Sequence, residues 1–407
     1  MDDITIRTIE AQEYDALTEA MASAFSESTE GGWVEADRPL LEPDRTFAAS
    51  EDDRFVGGTF VNTLRMTIPG GDVPIAGITG VGVAQSHRRR GVASALLRAA
   101  IDQVHQRGEA VAVLHASEGG IYERFGFAVS SLIGTIDIER DRAALTDPPS
   151  DPGRVRLLAR PDAFSALRPV WNAARRMQTG MLARDADAWW EARFFDPKDE
   201  RDGASPFFFA LHEGPDGPDA YAVYRFKHEW PDQLPSGRIT VEELIGATSE
   251  GLANIWRFVS DVDLAARIQA TVPVDTPLLH MLREPRRARL RVRDGLLVRL
   301  VDVPTALAAR AYATPGRVVI DVRDAFCPWN EGRYRLDADS SAATCTPTDE
   351  PPDLQLDENA LAAAYFGGIS LARLADARMV TELTPGSLDR AAVMFGWPRA
   401  PWSPEVF

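Results

Sequence analysis

Hydrophobic and polar residues alternate along several short stretches in the first third of the chain, and elsewhere the apolar positions take a helical spacing. Alternation predicts strands, because successive side chains of a strand point to opposite faces. Apolar residues three or four positions apart predict a helix with one buried face. The predicted elements are strands at 3–8, 47–49, 54–68, 111–114 and 127–138 and helices at 12–24, 92–104 and 118–124. Residues 26–44 are polar and contain glycine and proline, which predicts a loop or a mobile helical piece.

A basic, glycine-containing turn joins the strand around Val81 to the helix at 92–104. Glycine at a helix start lets the backbone approach a ligand, and the unpaired first-turn amides and the positive helix dipole favour a phosphate. Arginines there add charge-assisted hydrogen bonds to pyrophosphate oxygens. A solvated basic helix start in some other α/β protein is the alternative. The candidate phosphate-binding residues are Val81, Gly82, Val83, Arg88, Arg89, Arg90, Gly91, Val92 and Ala93.

This segment resembles the coenzyme A pyrophosphate loop of the GCN5-related N-acetyltransferases, which has the order Val-x-Val, four residues and Arg-Arg-x-Gly-Val-Ala. The segment from His115 to Phe127 reads Ala-Ser-Glu-Gly-Gly-Ile-Tyr followed by Arg-Phe-Gly-Phe, and it resembles the Eis (enhanced intracellular survival) family of bacterial acetyltransferases. A thinner similarity to this family covers nearly the whole chain and includes the terminal Phe407.

The resemblance implies a mixed α+β chain with tandem GCN5-related acetyltransferase folds followed by a sterol-carrier-protein-like domain. We expect an N-terminal domain at 1–150 with the acetyl-CoA loop and a central domain at 151–295 without one. The third domain, at 296–407, would bring the C-terminus to the active site. A stretch rich in proline and aspartate at 147–153 is a suitable linker.

The later periodic segments divide between the second and third domains. In the second we expect strands at 155–158, 207–212 and 220–227 and helices at 162–177, 185–194 and 251–259. In the third we expect strands at 317–322, 332–336 and 343–346 and helices at 304–310, 358–365 and 388–395. The arginine-rich stretch 283–293 predicts a solvated edge strand, because charge on an edge discourages aggregation; an acid-binding patch is the alternative.

N-acetylation requires an amine that has lost a proton and a leaving thiolate that gains one. The resemblance implies that Tyr122 is the general acid, and a phenol pKa near ~10 suits a thiolate leaving group. A buried core tyrosine with a satisfied hydroxyl is the alternative role. The resemblance further implies that the α-carboxylate of Phe407 is the general base. Its ordinary pKa of ~3.5 makes it a weak base unless burial beneath aromatic residues raises that pKa.

The acceptor pocket of the family is acidic and aromatic, which implies that Glu27 and Trp33 contact the acceptor; both could equally be ordinary loop residues. Glu405 is a further candidate, although the family pattern places an acid immediately before the terminal Phe. His115 could relay a proton or be a core histidine that orients the loop. Ser117 could bond the cofactor or cap the helix expected at 118–124.

The formal net charge of −17 argues against a general nucleic-acid binder and is compatible with cationic substrates. No apolar run is long enough to span a bilayer, and the N-terminus lacks a secretory signal, so we expect a cytoplasmic protein that does not act at a membrane. The two cysteines fit a reducing compartment, and the scattered histidines favour no metal site.

We therefore expect an acetyl-CoA-dependent N-acetyltransferase that modifies primary amines of polycationic acceptors, such as aminoglycosides, polyamine-type molecules or lysine side chains. The resemblance also implies a homohexamer. Two alternatives belong to other classes: a CoA-binding regulator without turnover, and a lipid or ligand carrier whose C-terminal domain is the active part.

Overall fold

A computed structural model describes residues 4–30, 32–151, 153–339, 341–405 and 407. The chain forms two compact units. The first unit comprises Met1–Ser131, Gly295–Pro401 and Val406–Phe407, and the second comprises Leu132–Asp294 and Trp402–Glu405.

The strands of the described residues form three sheets. In chain order they are β1 (Thr5–Thr8), β2 (Thr46–Glu51), β3 (Arg54–Ile68), β4 (Gly71–Val83), β5 (Val111–His115), β6 (Ala128–Val129), β7 (Leu132–Glu139), β8 (Arg154–Leu158), β9 (Phe208–Gly214), β10 (Gly217–Lys227), β11 (Gly237–Gly246), β12 (Ala265–Pro273), β13 (Arg291–Asp294), β14 (Leu296–Leu300), β15 (Gly316–Arg323), β16 (Gly332–Ala338), β17 (Ala343–Pro347), β18 (Leu354–Asp357) and β19 (Val380–Glu382).

The α-helices lie between these strands and cover the sheets. They are α1 (Tyr14–Phe25), α2 (Trp33–Asp37), α3 (Val92–Gln106), α4 (Arg160–Arg175), α5 (Asp187–Arg193), α6 (Ser249–Ser260), α7 (Leu278–Met281), α8 (Val303–Ala309), α9 (Glu358–Ala364), α10 (Leu371–Asp376) and α11 (Ser387–Phe395).

The first unit is built on a seven-stranded sheet in the order β1-β2-β3-β4-β5-β14-β6. Its main core lies against α3, whose apolar positions recur every three or four residues and are buried; they are Val92, Leu96, Leu97, Ala100, Ile101 and Val104. A smaller cluster on α1 buries Tyr14, Leu17 and Met21. The first unit also holds a five-stranded sheet in the order β17-β16-β15-β18-β19.

The second unit has its own seven-stranded sheet, in the order β13-β7-β12-β11-β10-β9-β8. Its parallel pair β11 and β12 is connected through α6, as the parallel pair β4 and β5 is connected through α3. Only Ala247 and Thr248 separate β11 from α6, and the Thr248 hydroxyl caps the helix by accepting from Gly251 N at 2.9 Å. Thr248 in turn donates to the carboxylate of Asp219. The amino end of α6 is therefore capped by the side chain of Thr248, whereas among the described residues the amino end of α3 in the first unit has no side-chain cap.

Two expectations from the pattern of the sequence need correction, and several elements were not expected. The long strand expected at 127–138 is two strands, of which β6 belongs to the first sheet and β7 to that of the second unit. The helix expected at 118–124 does not form; one short 3-10 turn, Glu123–Phe125, is present, because Gly120 at φ 82° interrupts the backbone. The strands β11, β12, β14, β18 and β19 and the short helices α7 and α10 were not predicted.

The solvated edge strand expected in the arginine-rich stretch 283–293 is present at the C-terminal end of that stretch. β13 is the edge strand of its sheet, and all four of its residues are exposed. Among the described residues, no α-helix combines the length and apolar character needed to cross a membrane.

Candidate active site

Strand β4 changes direction where it would meet a cofactor. Its pairing with β3 shifts register between Gly58 and Phe60, and Gly80 at φ 58° lies in this bulge. On its other side, β4 pairs with β5 at Ala76 and Gly77. Beyond this point β4 continues as Ile78–Val83 with its β5-facing edge unpaired by β5. Such an edge can pair with the amides of an extended ligand.

The turn after β4 leads into the amino end of α3. Gly91 is the residue before the helix and has φ 83°, a conformation that favours glycine. The amides of the first helical turn point out of the helix without intrahelical partners, so they can donate hydrogen bonds to an anion. Arg88 donates to the Ala24 carbonyl at 3.1 Å, and Arg89 has φ 62°.

One carboxylate organises the basic side of this turn. Glu51, at the end of β2, accepts from Arg90 at 2.6 Å and contacts the ring of His87 at 2.7 Å. Hydrogen bonds from Arg90 and then His87 lower the pKa of Glu51 to about 2. The carboxylate therefore stays ionised and holds the Arg90 guanidinium and the His87 ring beside the turn.

These parts enclose a cavity of about 270 Å³. It is lined by Val83, His87, Arg88, Arg89, Gly91, Val92, Ala93, Ser94 and Arg124. Three arginines and a glycine-started helix fit a doubly charged pyrophosphate, since both supply donors and positive potential. The lining therefore fits the phosphate part of acetyl-CoA.

Tyr122 lies at the start of the short 3-10 turn and is 8% exposed. Its carbonyl accepts from the amides of Phe125 and Phe127, and its ring contacts Phe127 edge-on at 6.2 Å. Burial, followed by the negative charge of Glu118, raises the pKa of Tyr122. Ser117 lies on the same loop, where the helix that it was expected to cap is missing.

Phe407 lies beside β4 and β5 of the same unit. One of its backbone oxygens accepts from the Thr79 hydroxyl at 2.8 Å. Its ring lies edge-on to His115 with centroids 5.5 Å apart. A Cβ on Gly77 would lie 3.0 Å from the Phe407 ring, so glycine makes room for it. The structure therefore brings Phe407, His115 and strand β4 together.

The end of α1 reaches the bulged part of β4. A Cβ on Gly82 would lie 3.0 Å from the ring of Phe25, a residue that is 43% exposed. Glu27 follows two residues later and is exposed. Trp33 begins α2, is partly buried, and donates from its indole to the Ser28 carbonyl at 2.9 Å.

Glu405 lies in the second unit and is 6% exposed. Its carboxylate forms an ion pair with Arg184, whose guanidinium lies 3.7 Å from the centroid of the Trp171 ring. Arg184 also forms an ion pair with the fully buried Glu243. The structure thus shows Glu405 inside a buried ionic network.

Sequence reasoning missed four residues of the site, namely Glu51, His87, Ser94 and Arg124. His87 and Arg124 were within reach, because each lies inside a segment already identified, next to the arginines or next to Tyr122. Glu51 carries no local signal, since its partner His87 is 36 residues away. Among the described residues, no group of three or more metal-ligating side chains comes together.

Comparison with known proteins assigns a family to each part of the chain. A model of the GNAT acetyltransferase domain matches residues 5–130, and a second GNAT acetyltransferase model matches residues 180–300. A sterol carrier protein domain model matches residues 303–404. The chain is therefore a tandem acetyltransferase followed by a sterol-carrier-like domain, as the sequence predicted.

Relatives of known sequence and structure cover the chain almost completely. An uncharacterized N-acetyltransferase of Streptomyces avermitilis is 40% identical over 97% of this chain and 96% of its own. The N-acetyltransferase Eis of Mycobacterium tuberculosis is 33% identical over 81% of this chain and 80% of its own. The crystal structure of Eis1 from Mycobacterium abscessus is 31% identical, with a TM-score of 0.86 over 99% of this chain and 100% of its own.

The chain belongs to the Eis family of GCN5-related N-acetyltransferases. It is an acetyltransferase, and acetyl-CoA is its acetyl donor. Of the three segments, the first contains the described cavity, and its strand, basic turn and glycine-started helix fit the phosphate part of that donor.

Proposed function

We propose that this protein transfers the acetyl group of acetyl-CoA directly to a primary amine of a polycationic acceptor, such as an aminoglycoside or a lysine side chain. Tyr122 is the general acid and the α-carboxylate of Phe407 the general base. One observation carries this proposal: both groups belong to the surroundings of β4. Phe407 is hydrogen-bonded to Thr79 of β4, and Tyr122 packs in the core that contains Ile78.

Positioning supplies the largest part of the rate enhancement, because holding the reacting groups together replaces a bimolecular encounter. In this proposal the open edge of β4 holds the donor, and the backbone N–H of Val83 polarises the thioester carbonyl oxygen. Acetyl-CoA supplies a thioester, whose acyl carbon accepts the amine and whose sulfur leaves.

Two protons then move. The Phe407 carboxylate takes one from the amine nitrogen as that nitrogen bonds to the acyl carbon. The phenol of Tyr122 gives one to the sulfur as the carbon–sulfur bond breaks. A phenol fits the second task, because its pKa is near that of a thiol.

The acceptor enters beside Glu27, Trp33 and His115 in this proposal. Two features support a cationic acceptor: the exposed carboxylate of Glu27 and the net charge of −17, which attracts cations. Glu405, buried and paired with Arg184, fits an anchor for the tail better than a direct acceptor contact. Ser117 remains a candidate contact of the donor. A cytoplasmic location, a homohexamer and a role in aminoglycoside resistance stay predictions from the resemblance.

The test is thiol release from acetyl-CoA with a panel of aminoglycosides, polyamines and lysine peptides. Wild type is compared with Tyr122→Phe and with a variant extended by one residue after Phe407. We expect turnover with polyamino sugars and a loss of kcat by at least about a hundred-fold in both variants, since each removes one proton transfer.

Tyr334→Phe is the matched control, because it removes a buried hydroxyl that donates to the Asn330 carbonyl in the C-terminal part of the first unit. A one-residue N-terminal extension controls for added length. Full turnover in Tyr122→Phe would eliminate the acid role. Tight acetyl-CoA binding without thiol release for any acceptor would favour the regulator alternative.

A further inference from the structure

A buried arginine stands in the strand that completes the first sheet. Arg299 belongs to β14 and pairs through its backbone with Ala112 of β5. It is completely buried, in a strand whose other residues are Leu296, Leu297, Val298 and Leu300. Removing a guanidinium from water costs several kcal/mol, about as much as one good buried pairing returns. Its partners therefore indicate what the arginine does.

Arg299 has one strong partner. It forms an ion pair with Asp324, and both side chains are fully buried. Asp324 is held in turn, accepting from the Cys327 amide at 2.8 Å and from the Asn330 side chain at 3.0 Å. Glu358 is farther away, with its Oε1 3.9 Å from Nη1 of Arg299. Asp324 thus fixes one side of the guanidinium.

The other side of the guanidinium lies against the turn that carries Tyr122. A Cβ on Gly126 would lie 1.4 Å from Nη1 of Arg299 and 2.7 Å from Cγ of Glu358. Within the part of the chain that the structure describes, Nε and Nη1 of Arg299 have no hydrogen-bond partner. The guanidinium therefore acts on this turn as a rigid packing surface, and only glycine leaves room for it.

Gly126 closes the turn of the proposed acid. Its amide donates to the Glu123 carbonyl at 2.9 Å, and the next amide, of Phe127, donates to the carbonyl of Tyr122 itself. Asn359 of α9 donates to the same Glu123 carbonyl at 3.1 Å. Side chains of the sterol-carrier part thus contact both ends of the turn, within one unit.

We propose that Arg299 is a positioning residue for Tyr122, acting through its contact with Gly126. This inference rests on the proposed function, because it takes the phenol as the general acid. A displacement of about 1 Å in a reacting group can reduce a rate about a hundred-fold. Because the guanidinium of Arg299 packs against Gly126, the turn that follows Tyr122 resists such a displacement.

The experiment uses Arg299→Lys in the full-length protein. Lysine keeps the charge but not the planar fork, so it can pair with Asp324 without supporting Gly126. We expect kcat to fall about ten- to a hundred-fold, with the KM for acetyl-CoA changed less than about two-fold, because the donor cavity lies at other residues. In a Tyr122→Phe background, we expect Arg299→Lys to lower kcat by less than about a further two-fold.

Arg310→Lys is the matched control. Arg310 is equally buried in the same unit, but it donates to the carbonyls of Ala364, Tyr365 and Phe395 and does not contact the turn. It should lower the melting temperature without lowering kcat. If Arg299→Lys does not fold, Asp324→Asn replaces it. The asparagine oxygen still accepts from the Cys327 amide, and the loss of the carboxylate charge weakens the pairing with Arg299. A loss of equal size with and without the Tyr122 hydroxyl would overturn the proposal.

A second readout separates this inference from the proposed function. The seven tyrosines are replaced by fluorotyrosine, and the resonance of position 122 is identified by its absence in Tyr122→Phe. We expect Arg299→Lys to shift this resonance and move its titration toward the ordinary range, while Arg310→Lys leaves it in place. An unchanged resonance in Arg299→Lys would overturn the positioning role. If Tyr122→Phe kept its full rate, the acid role alone would fail and the resonance would still decide the positioning.

Discussion

The environment of Tyr122 keeps its proton in place. A general acid works only while it is protonated, so its pKa must lie above the working pH. Burial is the largest cause that raises the pKa of Tyr122, and the negative charge of Glu118 raises it further. The phenol therefore keeps its proton to higher pH than an ordinary tyrosine, which is the form that the proposed acid role needs.

This shift predicts the alkaline limb of the pH–rate profile. In the proposed mechanism the protonated phenol is the active form, so kcat falls as the pH rises through the pKa of Tyr122. Because that pKa is raised, the midpoint of the fall lies above the ordinary phenol value of ~10. Replacing the exposed Glu118 by Gln removes a cause of the raised pKa, so the limb should move to lower pH. The measurement is kcat against pH with saturating acetyl-CoA.

Glu123→Gln is the control for this prediction, because Glu123 is an exposed acid near the same tyrosine that does not contribute to its raised pKa. Its alkaline limb should match that of wild type. A limb that Glu118→Gln leaves in place, or moves to higher pH, would contradict the assignment of the limb to Tyr122.

At the residue scale, the sequence revealed groups that belong to a contiguous motif. Tyr122 and the residues from Arg88 to Ala93 could be named as candidates in advance, since an anion-binding turn and the motif around the tyrosine each occupy one continuous segment of the chain. Glu51 and Arg299 could not, because their partners are distant in sequence and only the folded sheet brings them together. Both are ionic side chains whose chemistry depends entirely on that partner.

At the element scale, the start of α3 separates two effects that glycine produces. Gly91 precedes the helix at φ 83° and lines the donor cavity. Gly108 follows the same helix at φ 74°, where a Cβ would meet nothing within 4 Å. Both positions strain a residue with a side chain, but only the first lines the cavity proposed for acetyl-CoA.

Gly91→Ala should therefore raise the KM for acetyl-CoA about ten-fold, which corresponds to ~1.4 kcal/mol. A left-handed alanine strains the turn, and its methyl group intrudes where phosphate meets the backbone. Gly108→Ala should lower the melting temperature about as much as Gly91→Ala does, because both place alanine in a left-handed conformation. It should leave the KM for acetyl-CoA unchanged. Steady-state kinetics and thermal unfolding of both variants test this. A raised KM in both variants would mean that the effect is general strain.

The elements themselves were predictable where a hydrophobic period was long. Helices α3, α4 and α6 have amphipathic patterns over three or more turns, and the sequence placed them within a few residues. The helix expected at 118–124 was wrong, since apolar spacing in so short a segment does not outweigh two adjacent glycines. Strand β14 was missed, because a short apolar run fits a buried strand and a buried helix equally well.

At the scale of the whole molecule, the first unit is interrupted in sequence. Strand β14 lies between β5 and β6, so the sheet that carries the donor cavity needs residues from beyond the second unit. The two sides of the interruption meet directly, since the Gly295 amide donates to the Ser131 carbonyl at 3.0 Å. The second unit is therefore an insertion into a continuous sheet, which no local pattern in the sequence reveals.

This arrangement predicts which fragments fold. A fragment of residues 1–150 lacks β14, which leaves β6 unpaired, leaves β5 paired only with β4 and exposes the apolar face of the sheet. It should therefore neither unfold cooperatively nor bind acetyl-CoA. A variant with residues 132–294 replaced by two glycines keeps the sheet whole, because so short a linker spans the hydrogen-bonded ends. It should melt cooperatively and bind acetyl-CoA with a Kd within about ten-fold of that of wild type, or ~1.4 kcal/mol.

Circular dichroism of both proteins tests whether they fold, and titration calorimetry tests whether they bind acetyl-CoA. Acetyl-CoA binding by residues 1–150 alone would show that β14 is dispensable, and an unfolded deletion variant beside a folded wild type would show that completing the sheet is not enough.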